Sequence, residues 1–181
     1  MAGKHDDEVL VGRFRRGDEA AFDEIVALFQ NKVAALANRL LGWPGDVDDV
    51  CQEVFLAVYL NLKRFRGQSS LKSWMYAITL NKCRSRERKR LWRIRKLNQA
   101  TPDSQAGTPC GLEKETLRAV HRGIRRLPIK YREPIVLKYL QELPTDQVCR
   151  ILGISRNTLN VRLSRARQQL KRTLPTWTNE L

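Results

Sequence analysis

Between Phe65 and Arg90 the chain reads FRGQSSLKSWMYAITLNKCRSRERKR, aromatic residues first and a dense run of cations after them. Rings offer faces on which unstacked bases rest, and Lys and Arg hold a phosphate backbone, so the combination suits single-stranded nucleic acid. A short loop (Arg66, Gly67, Gln68, Ser69, Ser70) opens the stretch, unlike anything a regular helix would choose. Charge alone would also describe a solvated basic helix; the loop and the rings separate this stretch from one. Trp74 and Tyr76 lie about 200° apart on a helix, so both cannot face the core; on general grounds Trp74 is expected there, and Tyr76 is the less certain of the two. The cations that follow, out to Lys96, circle the helix, and only some of them can touch a nucleic acid.

A second pattern lies at LPTDQVCRILGISRNTLNVRLSRARQQL, residues 143–170. A short helix opened by Pro144, a turn at Gly153-Ile154-Ser155 and a last helix to about Leu174 make a helix-turn-helix arrangement. Leu159, Leu163, Ala166 and Leu170 face the core. Arg156, Asn157, Asn160, Val161, Ser164 and Arg165 point away from it. A generic helical hairpin is the plainer alternative; the short first helix, the turn and the basic outer face favour a duplex reader.

A third cluster, Asp46, Asp48, Asp49, Gln52 and Glu53, occupies the first turns of a helix. Carboxylates near a helix N-terminus are favoured by its dipole. Five polar residues in eight positions exceed what capping needs, so a protein-docking face stands beside that reading, and both remain open on the residues alone.

These clusters need helices to position them. Val9, Leu10 and Phe14 mark a short helix after a polar start at residues 1–8, ended by Gly17. Asp18 can cap a long helix whose stripe is Phe22, Ile25, Val26, Phe29, Val33, Leu36, Ala37 and Leu40. Gly42-Trp43-Pro44-Gly45 breaks it. Asp46 to Arg64 follows with Val47, Val50, Val54, Val58 and Leu62 on one side. The next helix starts near Ser70 and carries Leu71, Trp74, Met75, Ile78 and Leu91 on its core stripe. Residues 98–112 have linker composition. Beyond them, helices over Glu113 to Leu127 and Tyr131 to Leu140 lead to the helix-turn-helix, with Leu117, Val120, Ile124 and Leu127 on one side of the first and Pro134 in an early turn of the second. The fold class is all-α: two helical domains, residues 1–97 and 113–174, joined by a flexible linker, with 175–181 as a tail.

At 181 residues and 42% hydrophobic, the chain can build real cores and is not a disordered polycation. The net charge of +15 is unevenly placed: residues 1–62 carry 6 Lys/Arg against 11 Asp/Glu, residues 63–96 carry 13 against 1, and residues 97–181 carry 15 against 7. An acidic third joined to a basic middle points to two different partners. Cys51, Cys83, Cys110 and Cys149 contain no CxxC pair, and His5 and His121 stand far apart, so no metal, cofactor or histidine-based catalytic site is expected. With neither a secretory segment nor a membrane-length apolar run, a cytoplasmic protein with reduced thiols is expected.

Three motifs in this order, DVDDVCQEVFLAVYLNLKRFRG, SSLKSWMYAITLNKCRSRERKR and the helix-turn-helix stretch, resemble the extracytoplasmic-function (ECF) subfamily of bacterial sigma factors over about residues 9–172. The resemblance implies a non-enzymatic factor that binds core RNA polymerase and promoter DNA. Residues 1–97 would be sigma domain 2 and residues 113–174 sigma domain 4. Asp46, Asp49, Gln52 and Glu53 match the family's polymerase-docking positions; Cys51 replaces a small apolar residue there and is read as packing. The loop Phe65, Arg66, Gly67, Ser69 and Ser70, with Trp74 and Tyr76, would capture a base flipped from the minus-10 element. Asn81 would read that element, and Lys82, Arg84 and Arg88 would hold its backbone. Arg156, Asn157, Thr158, Asn160, Val161, Ser164 and Arg165 would face the minus-35 duplex. The family usually carries a cation and a serine where this chain has Asn160 and Val161. Asn favours adenine and an apolar side chain suits a thymine methyl, so an unusual minus-35 element is expected. Such factors are commonly held by an anti-sigma protein. Since Pro175 to Leu181 is only a short tail and Trp177 can cap the last helix, control from within the chain is not expected.

Two rivals remain. An ordinary helix-turn-helix regulator would explain residues 128–172 alone. A nucleic-acid-cleaving enzyme would need carboxylates clustered beside the basic surface, whereas here they precede it on another helix.

Overall fold

The computed structural model describes residues 4–41, 46–97 and 112–173, and these are helical or in short turns. The Gly42–Gly45 break, the linker expected over 98–112 (apart from Leu112) and the tail with Trp177 lie outside the described residues.

Four helices form the first group: α1 Lys4–Arg15, α2 Ala20–Leu41, α3 Val47–Leu62 and α4 Leu71–Leu97. α2 is the hub, packed against the other three. Val50, Val54, Val58 and Leu62 recur every four residues and so share one face of α3, where each is 0% exposed. A fully buried aliphatic side chain contributes about 1.5–3 kcal/mol over its exposed state, which fixes α3's rotation and with it the direction of its polar face. Phe14, Phe22 and Tyr59 pack ring to ring at 5.9, 5.4 and 5.1 Å, joining α1, α2 and α3.

α1 begins earlier than the polar start suggested, and its extra turn has a task. Asp7 is 5% exposed and its Oδ2 accepts the Leu71 backbone N–H at 2.8 Å, satisfying an otherwise unpaired donor at the start of α4. Ser70 completes the cap, its Oγ accepting the Ser73 N–H at 3.2 Å. Burial raises the Asp7 carboxyl above its ordinary value, more than the Leu71 hydrogen bond lowers it. A carboxyl with a raised folded pKa binds its proton more tightly in the folded state, so its contribution is greatest at low pH and falls as pH rises through the folded value. Asp7→Asn, which keeps an accepting oxygen without the charge, is expected to melt no lower than wild type at pH 7. Asp7→Ala, which loses the cap, should be about 1 kcal/mol less stable. Thermal melts of the three proteins at pH 5 and 7 check both; an Asn variant as weak as the Ala variant would show that the charge itself is needed.

On α4, Leu71, Met75, Tyr76, Leu80 and Cys83 are buried. Burial pushes the Cys83 thiol up to about 12, so it stays protonated and serves as packing. Leu91, expected on this stripe, is instead 48% exposed. It shares the face of Leu80, but periodicity cannot tell where packing partners end.

The second group comprises α5 Leu112–Arg126, α6 Ile129–Ile135, α7 Thr145–Leu152 and α8 Arg156–Thr173, with a π turn at Val136–Leu140 continuing α6. α6 starts two residues earlier than expected, so Pro134 lies past its first turn. Proline offers no N–H to the Lys130 carbonyl one turn before it, and the wider π spacing, with Gln141 N–H on Val136 O at 2.9 Å, comes after it. Gly153 (φ 66°) ends α7 in the left-handed region, and Ser155 Oγ accepts the Thr158 N–H at 3.2 Å to start α8. Leu159, Leu163, Ala166 and Leu170 are buried against Ile135, Val136, Leu137 and Val148 as a shared core.

The two groups touch. α7 packs on α4, and α5, α6 and the π turn pack on α2. Arg132, 6% exposed, donates to Leu40 O across the junction and to Arg125 O (2.6 Å) and Leu127 O (3.0 Å) within its own group.

Candidate nucleic-acid interface

The loop after α3 folds over the start of α4. Phe65 is 8% exposed and its ring lies 5.0 Å from that of Trp74, tilted by 42°. The two rings, with Asn61, Arg66, Ser69 and Ile78, line an open cavity of about 410 Å³. Gly67, at φ +67°, turns the loop through a conformation that side chains resist. Trp74, expected in the core, is instead half-buried and reaches this cavity, because the neighbouring helices enclose Tyr76. Tyr76 is 1% exposed, and its hydroxyl donates to Gln141 Oε1 at 2.8 Å. In this arrangement Trp74 is the ring of the two that lines the cavity.

The loop does not stand alone. Arg15 reaches from α1, donating through Nε to Lys63 O at 3.1 Å and through Nη2 to Phe65 O. Sequence reasoning missed this support, because a contact spanning some fifty residues leaves no mark in local periodicity.

The cations of α4 are less available than their number suggests. Asn81 and Arg88 are exposed. Lys82 Nζ lies 3.4 Å from Glu53 Oε2. Arg84 forks onto Glu133 of α6, Nε to Oε1 at 2.6 Å and Nη2 to Oε2 at 2.7 Å, and this raises the Arg84 pKa further. Arg86 bridges three carboxylates of the acidic cluster: Asp46 at 3.5 Å, Asp49 at 3.4 Å and Glu53 at 3.1 Å.

That cluster lies on the outer face of α3. Asp49 and Gln52 are exposed, and Asp46 and Glu53 are half-buried. Leu56 (60% exposed), three residues after Glu53 and seven after Asp49, and Leu60 (66%), four residues further on, continue the same stripe, an apolar extension that a reading of polar residues alone passes over.

On α8, Arg156, Asn157, Asn160, Val161, Ser164 and Arg165 are exposed and Thr158 is half-buried. Arg156 Nη2 pairs with Asp146 Oδ1 at 2.9 Å. Arg165 stands beside the Tyr131 hydroxyl and lowers its pKa. The polar face and the Leu stripe are thus segregated, as a helix entering a groove requires.

Among the described residues, no cluster of His, Cys, Asp or Glu could hold a metal ion, and no helix is long and apolar enough to cross a membrane. Residues 25–93 match the family described as Sigma-70 region 2, and residues 117–170 match Sigma-70, region 4. Over 182 residues the chain is 30% identical to the ECF RNA polymerase sigma-E factor of Escherichia coli K12, covering 94% of this chain and 95% of that one. This chain belongs to the ECF sigma factors. It is also 28% identical over 176 residues to the ECF sigma factor SigW of Bacillus subtilis, covering 91% of this chain and 94% of that one. Among solved structures, CnrH in complex with the cytosolic domain of CnrY is similar, with a TM-score of 0.69 and 27% identity over 95% of this chain and 99% of that one. As a sigma factor it is a transcription initiation factor and not an enzyme. Its region 2 spans α2 to α4, and its region 4 match runs from within α5 to α8.

Proposed function

We propose that this sigma factor docks on core RNA polymerase through Asp46, Asp49, Gln52 and Glu53, with Leu56 and Leu60 extending the contact. In the cavity behind the loop, Phe65, Arg66, Gly67, Ser69, Ser70 and Trp74 receive a base extruded from the minus-10 element. Asn81 reads that element, and Lys82, Arg84 and Arg88 take its phosphates; Tyr76 takes part only once Gln141 withdraws. Extrusion costs a few kcal/mol of stacking and pairing. Stacking on aromatic rings returns roughly 1–3 kcal/mol per base, so melting is driven by binding energy. In the other half, Arg156, Asn157, Thr158, Asn160, Val161, Ser164 and Arg165 face the minus-35 duplex.

The observation that carries this reading is the ring-walled cavity at the foot of a cationic helix, in one chain with a segregated polar helix face. A duplex-binding regulator has use only for the second. The likeness to CnrH, solved with the cytosolic domain of CnrY, supports a protein partner; in this reading that partner is an anti-sigma factor that covers these faces. Action in the cytoplasm, beside the polymerase, follows from the same reading.

Run-off transcription with purified bacterial core polymerase over a promoter library tests it. Start-specific transcripts that depend on this protein are expected, from promoters enriched in A or T opposite Asn160 and Val161. A good bidentate contact is worth about 1–3 kcal/mol of discrimination, so that enrichment should be about tenfold. Duplex binding without polymerase, and no defined start, would favour the regulator instead.

A further inference from the structure

In this structure one short segment of the region 4 half, residues 132–141, holds the surface through which the region 2 half would grip a melted strand. Glu133, its side chain 3% exposed, takes both faces of the Arg84 fork. Gln141 accepts the Tyr76 hydroxyl at 2.8 Å. Leu140 O accepts from Arg39 Nη1 of α2 at 2.7 Å, and Arg132 donates back to Leu40 O. Beside the capture loop, a cavity of about 240 Å³ has Ser69, Ser70 and Ser73 on one wall and Gln147 and Arg150 of α7 on the other. Asn160, Val161, Ser164 and Arg165, by contrast, are exposed.

This arrangement cannot persist at a promoter. The minus-10 and minus-35 elements lie about 25 base pairs apart, roughly 85 Å of duplex at 3.4 Å per pair. A compact chain of this length has a radius of gyration of about 16 Å. Holding both elements therefore requires the halves to part.

We propose that residues 132–141 form an intramolecular latch on α2 and α4: in the free sigma factor it occupies Arg84 and Tyr76 and bars the minus-10 strand, while the minus-35 face stays open. The barring rests on the minus-10 reading given above; the latch itself rests on the contacts alone. Its chemistry suits reversible use. When the halves separate, Arg84 and Glu133 return to water, and their regained solvation offsets the lost attraction, so the pair selects an arrangement more than it stabilises one. Control from within the chain was not expected, because in sequence Arg84 and Glu133 are two of many charges on separate helices.

Small-angle X-ray scattering of the full chain tests the latch directly, using wild type, Glu133→Lys and Arg39→Glu, with circular dichroism to establish that each variant is folded. Wild type is expected to scatter as one compact particle, and both variants to be larger by several ångströms in radius of gyration. Should Glu133→Lys fail to fold, Arg39→Glu carries the test from the other side of the junction. Fluorescence anisotropy then measures binding of a generic single-stranded oligonucleotide without polymerase. Arg39→Glu should bind about tenfold more tightly, with a salt slope steeper by about 0.7 for each phosphate newly held. Since that substitution removes a positive charge, unspecific attraction would change in the opposite sense. An extended wild type, or folded variants as compact as wild type, would overturn the latch whatever run-off transcription shows about promoter use. Opened variants that bind the strand no better would overturn its role as a bar.

Discussion

An Asp49→Lys/Glu53→Lys variant is expected to lose start-specific transcription with core polymerase by about a hundredfold or more while keeping its helical content. Both side chains lie on the outer face of α3, Asp49 61% and Glu53 43% exposed, while Val50 and Val54 behind them are fully buried. The substitutions therefore change what the face offers without touching what holds the helix. Close charge pairs across protein interfaces have coupling energies of about 1.5–7 kcal/mol, so two reversals at the low end already reach that factor. The local cost is small: Arg86 and Lys82 lose partners, but exposed pairs are worth about 0–1 kcal/mol each. Co-elution with core polymerase on gel filtration should fall in parallel. Full transcription from this variant would remove α3 from the docking face.

Trp74→Ala is expected to lower open-complex formation about 10–100-fold and to leave minus-35 duplex binding unchanged. The indole is half of the ring pair walling the cavity, with Phe65 5.0 Å away, and its loss removes a stacking surface worth roughly 1–3 kcal/mol per base. The diagnostic comparison uses promoters melted in advance by mismatches. If Trp74 serves only to drive strand separation, pre-melting restores the variant to wild type. If it holds the extruded base, the deficit persists. Trp74→Phe, which keeps a ring, should lie between the two. An alanine variant that opens promoters normally would leave the cavity without its proposed role.

How much of this could be read beforehand divides along the range of the interactions. The valine ladder of α3, the leucine stripe of α8 and the turn at Gly153-Ile154-Ser155 are set by residues within a few positions of one another, and local pattern recovers them. Asp7 did not announce itself as a cap, because its acceptor role is for a helix that starts sixty-four residues later. Arg15 and Glu133 were likewise invisible, each defined by a partner about fifty residues away. The choice between Trp74 and Tyr76 needed the neighbouring helices too: angular separation says that one ring must differ from the other, while only packing decides which. Leu91 shows the converse, an apolar residue at the proper angle with its side chain left exposed. At the candidate site, residue types were legible and their pairing was not, since Lys82, Arg84 and Arg86 look alike in the sequence and meet three different sets of carboxylates.

The bond from Arg15 to the carbonyls of Lys63 and Phe65 has a consequence for the entropy of the proposed base capture. Fixing the backbone of one residue costs about 1–2 kcal/mol in lost conformational freedom, and a slack loop from Phe65 to Ser70 would lose that freedom on meeting its base. With two carbonyls tethered by a guanidinium from α1 and Ser70 engaged in the α4 cap, much of that loss falls within folding itself. An extruded base then meets a surface already in shape, and the weak attraction of a single stack is left to act as binding.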